Sequence, residues 1–157
     1  MRKKSHISLA KYLVRNMNVD GLHDHKKAFY LGSILPDLKP SFLTKRHTID
    51  ETFITLIKEI KKITIDYDIE QGINRYFARH LGVITHYRAD YFTFPHNSDY
   101  PGTLKEHMNY ENELKHSLRE YVKRAEVQRE RDQDNNFLSI EDILGFIRKT
   151  HSEYMNA

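Results

Sequence analysis

Apolar positions recur at three- and four-residue intervals along most of the chain, the spacing that lines one face of a helix. Gly and Pro are few, 6 and 4, and the pattern predicts an all-α, compact single-domain bundle of about six helices. Ser5 is expected to cap a first helix with His6, Ala10, Leu13 and Met17 inward. A second spans about 24–35 and stops at Pro36, which disfavours helical geometry in the residue before it. Thr48-Ile49-Asp50-Glu51 has the form of a capping box and opens a third helix, with Phe53, Leu56, Ile57 and Ile60 inward. A fourth runs from about Asp68 to Phe92. One of its stripes carries Ile69, Ile73, Tyr76, Phe77, Ile84 and Tyr87, and a second carries Gly82, Val83, His86 and Asp90. A helix covered on two faces belongs at the centre of the bundle. Pro95, Pro101 and Gly102 break the pattern into a loop that starts at Phe94. Thr103-Leu104-Lys105-Glu106 is a second capping box. The fifth helix follows to about Arg129, turning Leu104, His107, Glu111, Leu114, Leu118, Tyr121 and Val122 inward. Ser139 opens the last helix, with Ile140, Ile143, Leu144 and Ile147 inward. Residues 1–4 and about 128–136 are charged or polar and are expected to be mobile.

The length of 157 residues fits one domain spanning 1–157, large enough to bury a core without staples. No apolar run approaches the roughly 18 residues of a transmembrane helix. The segment after the basic start, Ile7-Ser8-Leu9-Ala10-Lys11-Tyr12, is too polar for a signal sequence, so a cytoplasmic location is expected. The 25 basic and 22 acidic residues leave a formal charge of +3. That charge tolerates an anionic substrate but predicts no stable nucleic-acid partner. The chain has no cysteine, so disulfides, thiolate metal sites and a cysteine nucleophile are excluded. Any metal must be held by His, Asp and Glu, and the 10 histidines are therefore the main lead.

His47, His86, His107 and His116 each have an acidic residue four positions on. Such side chains share a helix face about 5–6 Å apart, so an imidazole and a carboxylate can reach one ion. Spacing alone yields one or two such pairs by chance, and the helix face has to decide. His107 and Glu111 are in register with Leu104, Leu114 and Leu118, whereas His116 with Glu120 falls on the opposite, solvated face. A buried carboxylate without compensation is costly, which favours a metal at His107 and Glu111. Taken singly, His6, Asp37, His47 and His96 fit ordinary structural roles equally well: a helix residue, a turn cap, a residue before a cap and a loop residue. His80 is read as core, and His23, His25 and His151 are given no role.

The order of these residues is more specific than any one of them. His6 is followed by Gly32-Ser33-Ile34-Leu35-Pro36-Asp37 and His47, then by His86-Tyr87-Arg88-Ala89-Asp90, His96 after Pro95, and His107-Met108-Asn109-Tyr110-Glu111. Over roughly positions 5 to 125 this resembles the bacterial zinc-dependent phospholipase C family, which shares a helical fold and a trinuclear zinc site with single-strand-specific 3′-nucleases. The resemblance implies one zinc held by Asp37, His47, His86 and Asp90, and a second held by His96, His107 and Glu111. It gives His6 and Asp90 to a third, with Asp90 bridging two ions. Secreted members complete that third site with the amine and carbonyl of a processed N-terminal tryptophan. This chain has no Trp and begins five residues before His6, so two zinc ions are expected and the third lacks its usual ligand. No appended β-sandwich membrane-binding domain is expected from these 157 residues.

The expected activity is metal-dependent phosphoester hydrolysis, of the phosphodiesterase or phospholipase C kind. Metals lower the pKa of water and clamp the phosphoryl oxygens, and Asp37 is the candidate to orient or deprotonate that water. The substrate is expected to be a small phosphoester or a phospholipid head group. Tyr87, Tyr91, Phe92, Phe94 and Tyr100 cluster near the ligands and are read mainly as core. Two other readings stay open: a helical domain keeping zinc for structure or binding a partner, and a nuclease or nucleotidase on the same site. A phosphohydrolase of the His-Asp type, built on His23-Asp24, has no matching partner residues.

Overall fold

The computed structural model describes residues 1–40, 45–124 and 136–157, and among these it contains six α-helices and no strand. The helices are α1 (Lys3–Asn16), α2 (Lys26–Leu38), α3 (Ile49–Thr64), α4 (Arg75–Tyr91), α5 (Leu104–Arg124) and α6 (Ile140–Met155). The expected far end of the fifth helix and most of the 128–136 segment lie outside the described residues.

α4 is central, as its two stripes predict: it packs on α1, α2 and α3. Its most extensive partner is α2, and two glycines explain why. A Cβ on Gly32 would run into the carbonyl of Arg79, and one on Gly82 into the carbonyl of Phe29. The helices therefore touch backbone to backbone, an approach that only glycine permits. On one side of α4 a core forms from Phe53, Leu56, Ile60, Val83, Tyr87, Tyr91 and Ile147. On the other side a smaller cluster joins Ala10, Leu22, Ala28, Phe29 and Ala78.

Caps match the sequence signals at three helices. Thr48 accepts from Glu51 N, Thr103 and Glu106 exchange bonds, and Ser139 forms a reciprocal box with Asp142. Four expectations are corrected. α1 starts at Lys3 with Arg2 at its N-cap, so Ser5 is a buried residue inside the first turn and not a cap. Met1 is buried, while Lys3 and Lys4 are exposed. α2 runs through Pro36 to Leu38. Proline forfeits one hydrogen bond there, in the last turn, where little helix remains to disrupt. α4 begins at Arg75, because Gly72 at φ 65 breaks the chain after a short 3₁₀ turn and Asn74 caps the new start. Ile69 and Tyr76 are consequently exposed, not inward. Finally, α5 has no fully buried residue. It leans on α1 by one flank and leaves Leu104 and Tyr121 exposed.

Candidate metal centre

The α2–α4 crossing sets the geometry of the site. One turn beyond Gly32, α2 carries Pro36 and Asp37; one and two turns beyond Gly82, α4 carries His86 and Asp90. All three chemical side chains are buried, His86 and Asp90 completely. The segment leading into α3 adds His47, and α1 adds His6, whose ring stacks on that of His86 at 3.8 Å.

Asp90 is the hub. Its Oδ2 lies 3.0 Å from His47 Nδ1 and 3.2 Å from His86 Nε2. Its Oδ1 faces the other way, 3.2 Å from His6 Nε2 and 2.7 Å from the Met1 amino nitrogen. Asp37 Oδ1 sits 3.5 Å from His86 Nε2 and 3.6 Å from His47 Nδ1. Across the cleft, Glu111 Oε1 on α5 lies 3.0 Å from His96 Nε2 and 3.2 Å from His107 Nε2. The Met1 nitrogen joins the two halves, because it also contacts Glu111 Oε1 at 3.2 Å and His96 Nε2.

Among the described residues three groups have ligand atoms close enough to hold a metal ion: His6, Asp37 and His86; His47, His86 and Asp90, which shares His86 with the first; and His96, His107 and Glu111. Hydrogen bonding tests whether a cation suits them. His86 Nδ1 donates to the Ser33 carbonyl at 2.8 Å, which fixes the ring's orientation and turns Nε2 toward the site. Nε2 meets His47 Nδ1 at 3.0 Å and also faces oxygens of Asp37 and Asp90. His6 Nε2 is buried, lacks an aligned hydrogen bond, and also points at an Asp90 oxygen. Buried imidazole nitrogens and carboxylate oxygens that converge this closely suit positive charge between them, so the donor set fits a cation of the zinc type.

The electrostatics agree. Burial opposes ionisation of Asp90, but the Met1 ammonium and the surrounding His47, His6 and His86 outweigh it and hold the carboxyl well below the ordinary range. Burial likewise opposes ionisation of Glu111, yet His96 and the Met1 amine bring it to about 2. Asp37 goes the other way: burial pushes it up, with neighbouring histidines only partly compensating. Burial lowers His6 to about 4 against the pull of Asp90, so its ring is neutral near pH 7 and able to ligate.

All eight residues singled out from the sequence, His6, Asp37, His47, His86, Asp90, His96, His107 and Glu111, come together here. His107 and Glu111 are partly exposed and face a cleft of about 960 Å³, not the core. Two participants were not read from the sequence. Ser33 acts through its backbone, which leaves no side-chain signal, and the Met1 nitrogen belongs to no side chain at all. His80 is buried as expected, paired with Glu59 on α3, which is tied in turn to Lys62 at 2.7 Å. His116 and Glu120 are both exposed, and the latter pairs with Lys123 and Arg124 instead.

Among the described residues, no helix is long and apolar enough to cross a membrane. A family model described as zinc dependent phospholipase C matches residues 5–157. No curated protein and no solved structure matches the chain.

Proposed function

Since this chain belongs to the zinc-dependent phospholipase C family, we propose that it is a phosphoester hydrolase with a multinuclear zinc site, acting on phosphodiesters of the phospholipid kind. The observation that carries the reading is the division of Asp90: one oxygen toward His47 and His86, the other toward His6 and Met1. A carboxylate so placed is suited to serve two ions. His47, His86, Asp90 and Asp37 would hold one zinc, and His96, His107 and Glu111 a second. His6 and Asp90 would hold a third, beside the Met1 amino nitrogen.

Bound zinc would supply Lewis acidity and a water of lowered pKa. The chain's own residues do the rest. The Ser33 carbonyl orients His86 and keeps Nε2 aimed at the site. Asp37 lines the cleft, and burial has raised its proton affinity, which suits a group that orients a water and accepts its proton. His96, His107 and Glu111 stand on the opposite wall of the cleft, where a phosphoryl oxygen can be held between the two sides. No protein nucleophile is required.

The test pairs metal content by mass spectrometry with hydrolysis of bis-p-nitrophenyl phosphate before and after chelation. Two or three zinc ions per chain and turnover lost on chelation are expected. Protein that takes up no transition metal even after zinc is added back would overturn the site. Zinc without turnover, together with unfolding on chelation, would favour a structural role for the metal.

A further inference from the structure

The mouth of the cleft is charged in one sense only. Lys3, Lys4, Lys45, Arg46 and Lys115 line it, and none of them makes an ion pair among the described residues. Four are exposed, while Lys115 is half-buried and donates to Asn112 Oδ1 at 3.1 Å. Arg2, also on the wall, is drawn to Glu111 at 3.8 Å and to the Met108 carbonyl. The two carboxylates among the lining residues, Asp37 and Glu111, both belong to metal-capable groups. Nothing acidic in the lining is left to balance the lysines.

Alongside these cations, α5 presents Leu104 and Met108 to the cleft, one turn apart and 76% and 52% exposed. Among the described residues Tyr100 is the one Phe, Tyr or Trp in the lining, and its ring is packed edge-on against Phe94. A quaternary ammonium head group is recognised by several aromatic faces or by free acids; the described lining has a single aromatic ring, and both of its acids belong to the metal-capable groups. It offers unbalanced positive charge beside exposed aliphatic surface.

We propose that the cleft selects a phosphodiester lipid with a second anionic group on its head, over a zwitterionic lipid of the choline type. The inference rests on the hydrolase reading above and names its substrate class. The scissile phosphate would meet the metal groups, the second anion would meet Lys45, Arg46 and Lys115, and the start of the acyl region would lie along Leu104 and Met108. Low-dielectric walls lined by one sign of charge focus the field into the cleft and raise the local concentration of an oppositely charged substrate.

The experiment uses the zinc-loaded full chain and dihexanoyl lipids kept below micelle formation, so that recruitment to a charged surface plays no part. Dihexanoyl phosphatidylinositol 4-phosphate is compared with dihexanoyl phosphatidylinositol and dihexanoyl phosphatidylcholine. The expected order of kcat/KM follows the negative charge, with about a tenfold or larger gap between the first and last at low salt. The gap should narrow toward 1 M salt, where the screening length falls from about 10 Å at 0.1 M to about 3 Å. Lys45→Glu and Lys115→Glu should each shrink it, whereas Lys149→Glu, on the exposed face of α6, should not. Circular dichroism checks that each variant folds.

Equal or better turnover of the choline lipid would overturn the proposal, as would hydrolysis of bis-p-nitrophenyl phosphate with none of the three lipids cleaved. Either result would leave the hydrolase reading standing. Equal cleavage of deacylated glycerophosphoinositol 4-phosphate would remove the lipid part and point to a soluble polyanion. If no ester of any kind is hydrolysed, the hydrolase reading fails, and calorimetric binding of the same three lipids still decides the charge preference.

Discussion

At the scale of single residues, Asp90 concentrates the most function in the fewest atoms. It is fully buried and its two oxygens face different partners. Asp90→Asn replaces one acceptor oxygen with a donor amide aimed at nitrogens. Zinc content measured by mass spectrometry should fall by at least one ion, and hydrolysis of bis-p-nitrophenyl phosphate by more than about a hundredfold, in line with losing a metal ligand. Intact metal content and turnover would refute the bridging role. Glu59 provides a prediction away from the site. Burial raises its pKa, but Lys62 and His80 outweigh burial and leave it below the ordinary glutamate range. The folded state therefore binds its proton less readily than the unfolded state. Stability from Glu59 is present above the unfolded pKa near 4.5 and is lost as pH falls through the lower folded value. Glu59→Gln should lower the Tm at neutral pH by an amount corresponding to about 1–3 kcal/mol. It should also flatten the acid limb of Tm against pH; an unchanged slope would remove Glu59 from the acid response. The site was unusually legible at this scale. Each of its eight side chains is a charged or imidazole residue whose spacing along the chain is visible in sequence. The Met1 nitrogen and the Ser33 carbonyl were hidden because the backbone supplies them, and every residue has a backbone.

Helices were legible wherever a cap or a stripe defined them, and misread where a backbone effect overrode the pattern. Thr48, Thr103 and Ser139 announced their helices. Gly72 and Asn74 ended the apparent continuity of the stripe from Ile69, since a positive φ and a side-chain cap outweigh apolar spacing. Pro36 looked like a stop because its cost is real in a helix interior, and that cost shrinks when only the closing turn lies ahead. The crossing of α2 and α4 was not predicted, because Gly82 read only as one member of an inner stripe. Its importance can be measured. Gly82→Ala forces a methyl into the Phe29 carbonyl and has to part the two helices. A loss of about 1–3 kcal/mol or more in denaturant unfolding is expected, as for overpacking elsewhere. Because Asp37 and His86 are carried on the separated helices, zinc affinity should fall as well. A stable variant with unchanged zinc affinity would mean that the helices slide without cost.

Across the whole molecule, the centre draws on elements that lie far apart in sequence, and α6 reaches it indirectly. His151 Nε2 bonds Asn97 Oδ1 at 2.7 Å, and the Asn97 amide donates to the Tyr91 and Thr93 carbonyls. The link steadies the turn Phe94–His96 that presents His96. His151 was given no role in the sequence because its partner lies 54 positions away, and no local pattern carries a contact of that range. His151→Ala should leave the helical content unchanged yet speed zinc loss to a chelator by about tenfold, the usual scale for groups that orient a ligand from behind. Dissociation rates equal to the parent's would confine α6 to a purely apolar role through Ile147.

The backbone contact between Gly32 and Gly82 has a further consequence, for how such a protein can diverge. The helices it joins carry Asp37, His86 and Asp90, whereas Lys3, Lys4, Lys45, Arg46 and Lys115 sit on α1, on the segment before α3 and on α5. Three of the candidate ligands are thus held apart from the mouth cations, whereas His6, His47, His107 and Glu111 share their elements. Substitutions of the mouth cations would leave the α2–α4 crossing, and with it Asp37, His86 and Asp90, in place. The glycine pair, by contrast, has no gradual replacement, since the smallest step available already collides with a carbonyl.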